Sequence, residues 1–93
     1  MERIVSVVPE DGLHARPASA FVQTAGEFDA EVTVHAVDGD GTSARADSML
    51  AVTSLGVRGG EEVRLVAEGP DAEAALDALE SVLQTPADEL DDG

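Results

Sequence analysis

His14 and Arg16 stand in the run Asp11-Gly12-Leu13-His14-Ala15-Arg16-Pro17-Ala18. An uncharged imidazole is a nucleophile at neutral pH. A guanidinium is a permanent cation whose fork matches phosphate oxygens. Gly12 permits a tight turn that a residue with a Cβ would resist. Pro17 fits the first turn of a helix, where its missing N–H is no loss. The run therefore predicts a strand-to-helix junction, with His14 where the new helix leaves backbone N–H groups unpaired. Those groups and the helix dipole attract an anion and disfavour the imidazolium. This chemistry suits a histidine that takes and returns a phosphoryl group. A histidine at a helix start is also a common cap or surface residue, and the local pattern leaves both readings open.

The elements that must hold this junction follow from the hydrophobic pattern. Arg3 to Val8 reads as a strand with Val5 and Val7 on one face, ended by Pro9. Ala18, Phe21, Val22 and Ala25 form one helical stripe, and Gly26 is expected as a left-handed stop. Glu31 to Val37 alternates, with Val32, Val34 and Ala36 inward and His35 outward, without a partner at metal-ligand spacing. Asp38-Gly39-Asp40-Gly41 is a hairpin turn, and Thr42 to Ala46 returns with Ala44 and Ala46 inward. Asp47 to Gly56 predicts a short helix with Ser48 as N-cap, and Val52 and Leu55 buried. Met49 and Leu50 fall off that face, as peripheral core or as a small exposed patch for a partner.

Gly59-Gly60 marks a turn. Glu61 to Glu68 is the fourth strand, with Val63, Leu65 and Ala67 inward. A last helix starts at Asp71, expected as its N-cap, and buries Leu76, Leu79 and Leu83 with Ala72 and Ala75. Asp77 and Glu80 face water. The order is β-α-β-β-α-β-α. Four alternating strands imply a sheet wet on one face and covered by helices on the other, a two-layer sandwich. Residues 1–85 form one domain, and the acidic stretch 86–93 is expected to be a disordered tail.

Composition narrows the function classes. The 93 residues contain two Phe, no Tyr, no Trp and no Cys, so the core is built from Val, Leu, Ile and Ala, without thiolate metal sites or disulfides. Twenty acidic residues face five basic ones, all Arg, for a formal net charge of −15. That field repels nucleic acid and anionic membranes. It fits a hypersaline cytoplasm, where the Debye length falls to about 3 Å and self-repulsion is screened. No apolar run is long enough to span a bilayer, and the first residues are not expected to act as a signal peptide.

Gly12-Leu13-His14-Ala15-Arg16-Pro17-Ala18 resembles the active-site segment of the HPr family, the histidine-containing phosphocarriers of the sugar phosphotransferase system. Ser48-Met49-Leu50-Ala51-Val52-Thr53-Ser54-Leu55-Gly56 resembles that family's regulatory-serine helix, and Glu68-Gly69 with the Ala/Leu-rich helix after it resembles its C-terminal end. The resemblance implies an α+β fold, an open-faced β-sandwich with a four-stranded antiparallel sheet and three helices on one face. It implies that His14 accepts a phosphoryl group on Nδ1 from enzyme I, charged by phosphoenolpyruvate, and passes it to an enzyme IIA component of a sugar permease. Arg16 would steady the phosphate. Met49 and Leu50 would dock partners, with Ala15 on the rim. Ser48 would be a regulatory phosphorylation site for a serine kinase, alongside its reading as a plain N-cap.

A monomeric, stoichiometric carrier without metal or cofactor is expected, rather than a stand-alone catalyst. The alternatives are a regulatory relative governed by Ser48, a carrier for a dihydroxyacetone-kinase or nitrogen-regulatory phosphorelay, and a small-ligand domain in which His14 is structural. The chain departs from the family in lacking lysines near the histidine face, where Gln23, Gly26 and Ala51 stand, and in placing Asp11 before Gly12. The hairpin around Asp38 to Thr42 is also slightly longer. Docking is therefore expected to lean on the apolar patch.

Overall fold

The computed structural model describes residues 1–8, 12, 15–37 and 43–85, with Ala15 and Arg16 described by their backbone. The elements are β1 (Glu2–Ser6), α1 (Ala15–Ala25), β2 (Glu31–Ala36), β3 (Ser43–Arg45), α2 (Met49–Ser54), β4 (Glu62–Glu68) and α3 (Ala72–Gln84). The strands form a four-stranded sheet in the order β1-β4-β2-β3, and every neighbouring pair is antiparallel.

Side-chain alternation gives this sheet two unlike faces. The cross-strand row Arg3–Leu65–Val34–Ala44 faces the helices, and its three apolar members are buried. The adjacent row, Ile4–Arg64–His35–Ser43, lies on the open face, where Arg64 and Ser43 are exposed and His35 is half-buried. The core joins Val5, Val7, Val32, Val63 and Ala67 of the sheet side to Ala18, Phe21 and Ala25 of α1, Val52 of α2, and Leu76, Leu79 and Leu83 of α3. This is the open-faced sandwich that the strand and helix order implies.

Several local expectations change. β1 ends at Ser6 rather than Val8: the Val7 N–H still donates to the Glu61 carbonyl at 2.8 Å, and the Val8 N–H turns away to the Leu83 carbonyl at 2.8 Å. Gly26 is not left-handed. Its N–H donates to the Val22 carbonyl at 3.1 Å, so the last turn of α1 simply runs on. Asp71 does not cap α3 with its side chain. Its Oδ2 accepts the Asp29 N–H at 2.8 Å, and its own N–H donates back to the Asp29 carbonyl at 3.2 Å, tying the β4–α3 connection to the α1–β2 connection.

Leu55 and Ala36 are half-buried rather than buried, at the end of α2 and the end of β2. Asp77 and Glu80 do more than face water. Both accept from Nη1 of Arg3, at 2.7 and 2.9 Å, and so fasten edge strand β1 to α3. The hairpin tip at 38–42, Pro9 and the tail from Pro86 lie outside the described residues. None of the described helices is long and apolar enough to cross a membrane.

Candidate functional site

Gly12 sits in the left-handed region, at φ +68°. A Cβ on it would stand 2.0 Å from the Val57 carbonyl oxygen and 2.7 Å from the Arg58 Cα. The turn expected from its sequence is thus also a place where two backbones touch, and only glycine fits both conditions. The seat under Gly12 is firm. Val57 is buried, the Arg58 N–H donates to Glu61 Oε1 at 2.7 Å, and the Glu61 N–H donates back to the Arg58 carbonyl at 3.1 Å. The Gly60 N–H donates to the Val7 carbonyl at 2.7 Å, locking the same turn to the chain leaving β1.

His14 lies outside the described residues, as do Asp11 and Leu13. Both of its flanks are described: Gly12 two residues before, and Ala15, where α1 begins. The first amides of a helix have no acceptor within it. No acidic side chain stands in the first turn of α1 to occupy that end. Pro17, Ala18 and Phe21 are buried, so the helix start is anchored to the core from below. Ala15 and Arg16 are the first two residues of α1, and their side chains lie outside what is described.

The second motif is fully described, and α2 packs against α1. Ser48 has extended backbone, and its Oγ accepts the Ala51 N–H at 3.3 Å, the expected N-cap bond. Val52 is completely buried beneath the helix. Met49 is 40 % exposed and Leu50 80 % exposed. That resolves the choice left open for Leu50 in favour of a surface residue. An apolar side chain so exposed, on a helix held down by one buried valine, suits intermittent contact better than core packing.

Arg45 lies just upstream, with Nε and Nη2 donating to Asp47 Oδ1 and Oδ2 at 3.2 Å each. These bonds hold the Asp47 carboxyl below the usual carboxylate range and raise the Arg45 guanidinium. The cation nearest in sequence to Ser48 is therefore already engaged.

One contact has only a weak trace in the sequence, namely that Arg58 lies beneath Gly12. Its signal is an arginine directly before Gly59-Gly60, a turn pattern that says nothing of what packs on it.

The family described as "PTS HPr component phosphorylation site" matches residues 1–85. A phosphocarrier protein HPr of Haloferax volcanii is 67 % identical over 86 residues, covering 92 % of this chain and 96 % of that protein. A multiphosphoryl transfer protein of Vibrio cholerae is 47 % identical over 68 residues, which are 73 % of this chain and 17 % of that longer protein. The crystal structure of a phosphocarrier protein HPr from Bacillus anthracis superposes with a TM-score of 0.84 at 37 % identity, over 90 % of this chain and 96 % of that one. The acidic composition fits the haloadaptation read from it and the Haloferax relative. The chain belongs to the HPr family, and it is a phosphocarrier of the phosphotransferase system.

Proposed function

We propose that His14 is the residue that carries the phosphoryl group, on Nδ1. The lone pair of Nδ1 forms the new N–P bond as the bond from phosphorus to phospho-enzyme I breaks. The same exchange in the forward direction delivers the group to an enzyme IIA component. Members of the family work between these two kinds of partner, and here they are the donor and the acceptor. Arg16 steadies the phosphoryl oxygens. Holding the imidazole at a helix start supplies positioning and oriented N–H dipoles, which are the main catalytic resources for moving a phosphoryl group. The observation that supports this most is the seat of Gly12 on Val57 and Arg58, which fixes the chain two residues upstream of the histidine.

Met49 and Leu50 provide the docking surface, with Ala15 at its rim. Ser48 is the target of a serine kinase as well as the cap of α2. A phosphoserine adds nearly two negative charges at pH 7. Placed beside the docking residues, it repels acidic partners and lowers the rate of transfer. The carrier works as a monomer in the cytoplasm.

The test is phosphorylation with phosphoenolpyruvate and enzyme I. Wild type should gain an acid-labile, base-stable phosphate, and His14→Ala should gain none. Label on serine alone, or no label with a competent donor, rejects His14 as the carrier.

A further inference from the structure

We infer that Arg58 supplies a second guanidinium to the phosphoryl group, beside the one contributed by Arg16. The inference rests on His14 being the phosphoryl-bearing residue. It starts from the contact under Gly12. A Cβ on Gly12 would be 2.7 Å from the Arg58 Cα, so the two Cα atoms are within about 4.2 Å of one another. His14 follows Gly12 by two peptide units, which span at most about 7.6 Å. Connectivity alone thus keeps the Cα atoms of His14 and Arg58 within about 12 Å. An extended arginine side chain and an imidazole bearing a phosphoryl group are together long enough to cover that distance.

The state of Arg58 supports the same use. Four arginines have described side chains, and a chain with 20 acidic residues has every opportunity to neutralise them. Arg3 is held by Asp77 and Glu80, and Arg45 by Asp47 and Glu31. Arg58 is exposed, and among the described residues it forms no ion pair. Glu61, in the same turn, is spent on the Arg58 backbone N–H at 2.7 Å. The base of the side chain is therefore fixed, while the guanidinium engages no carboxylate among the described residues. Arginine presents a planar donor fork suited to phosphate oxygens, so the ligand this geometry selects is a phosphoryl group.

Arg64 provides the control. It is exposed, it also forms no ion pair among the described residues, and it stands on the open face of the sheet between Ile4 and His35. Arg58→Gln and Arg64→Gln change the net charge equally. Each variant, with Arg58→Lys, is phosphorylated by enzyme I and phosphoenolpyruvate in molar KCl, which suppresses long-range charge effects. The readouts are kcat/KM for phosphoryl acceptance and the ³¹P chemical shift of the phosphohistidine at fixed pH.

Arg58→Gln should lower kcat/KM about tenfold, the scale of one charge-assisted hydrogen bond, and should move the ³¹P resonance. Arg64→Gln should do neither, and Arg58→Lys should restore part of the rate. Equal effects of Arg58→Gln and Arg64→Gln overturn the inference, because net charge alone then accounts for them. A slower rate with an unmoved ³¹P resonance also overturns it, because the cation then serves the partner and not the phosphoryl group. If wild-type phosphate is found elsewhere than His14, both the carrier assignment and this inference fall. If it is on His14 and Arg58→Gln is silent, only the inference falls.

Discussion

The two helices beside the candidate site are held in opposite ways. α1 is fastened by four buried side chains, Pro17, Ala18, Phe21 and Ala25, and the chain two residues before His14 is pressed onto the backbone of residues 57–58. α2 has six residues, one buried valine, and a leucine left 80 % exposed. The proposed phosphoryl-bearing position thus adjoins the firmly anchored element, and the proposed docking surface lies on the lightly held one. Phosphoryl transfer rewards fixed geometry at the nucleophile. Successive docking with different partners rewards a surface that adapts, the property that the proposed Met49–Leu50 docking surface calls for.

The largest effect that separates the two regions is expected from truncating their apolar residues. Phe21→Ala empties a fully buried site under α1 and should cost about 3–5 kcal/mol of unfolding free energy in chemical denaturation. Leu50→Ala should change stability by less than about 0.5 kcal/mol, as surface substitutions do, yet weaken enzyme I binding measured by calorimetry. The contrast fails if Leu50→Ala unfolds the protein or leaves binding untouched.

Two left-handed glycines sharpen the comparison. Gly12 has φ +68° with no room for a Cβ, and Gly56 has φ +69° with nothing within 4 Å of one. Gly56→Ala should cost only the left-handed strain, about 1–2 kcal/mol. Gly12→Ala carries the same strain and drives a methyl group into the Val57 carbonyl. It should cost at least about 2 kcal/mol more, within the range of severe core overpacking. Phosphoryl acceptance should fall with it, while Gly56→Ala keeps acceptance once the protein is folded. Equal losses from both variants would mean that the seat under Gly12 has no special part.

How much of this was legible beforehand depends on range. The elements, the inward valines and leucines, and the Ser48 cap follow from periods of two and 3.6 and from cap chemistry, all of them local. The N-cap expected of Asp71 does not form, because its carboxylate accepts from the Asp29 amide, 42 residues away in the chain, instead of from its own helix. Gly26 is not left-handed, because a glycine at a helix end permits such a turn without requiring one. Gly12 gave its turn away but not its neighbour. Close approach to Val57 and Arg58 comes from how β1, α1 and the turn before β4 meet, and no spacing in the sequence encodes it. The pairing of Arg3 with Asp77 and Glu80 was hidden for the same reason.

A smaller effect is expected at the start of α2. Ser48→Ala removes the acceptor of the Ala51 N–H and should cost about 1 kcal/mol. The loss should be local, with faster amide hydrogen exchange at Ala51 and Val52 and unchanged exchange in α1. If exchange in α1 rises equally, the two helices behave as one unit and the difference in their anchoring has no dynamic consequence.

The smallest effect concerns Asp47, one residue before that cap. Hydrogen bonds from Arg45 lower its carboxyl pKa from an ordinary value of 3.8. A carboxyl with a depressed folded-state pKa stabilises the fold above the unfolded-state value, and that contribution is lost as pH falls through the folded-state value. Both groups are well exposed, with side chains 65 % and 48 % accessible, so solvent screens the pair and the gain is slight. Asp47→Asn should therefore be marginally less stable than wild type at neutral pH. The gap should hold down to about pH 4 and close below it, followed by denaturation in molar KCl, where the remaining charges are screened alike in both proteins. A gap that widened on acidification would show that Asp47 is repelled by its acidic neighbours more than it is held by Arg45. The start of α2 would then be under strain from charge rather than merely lightly anchored.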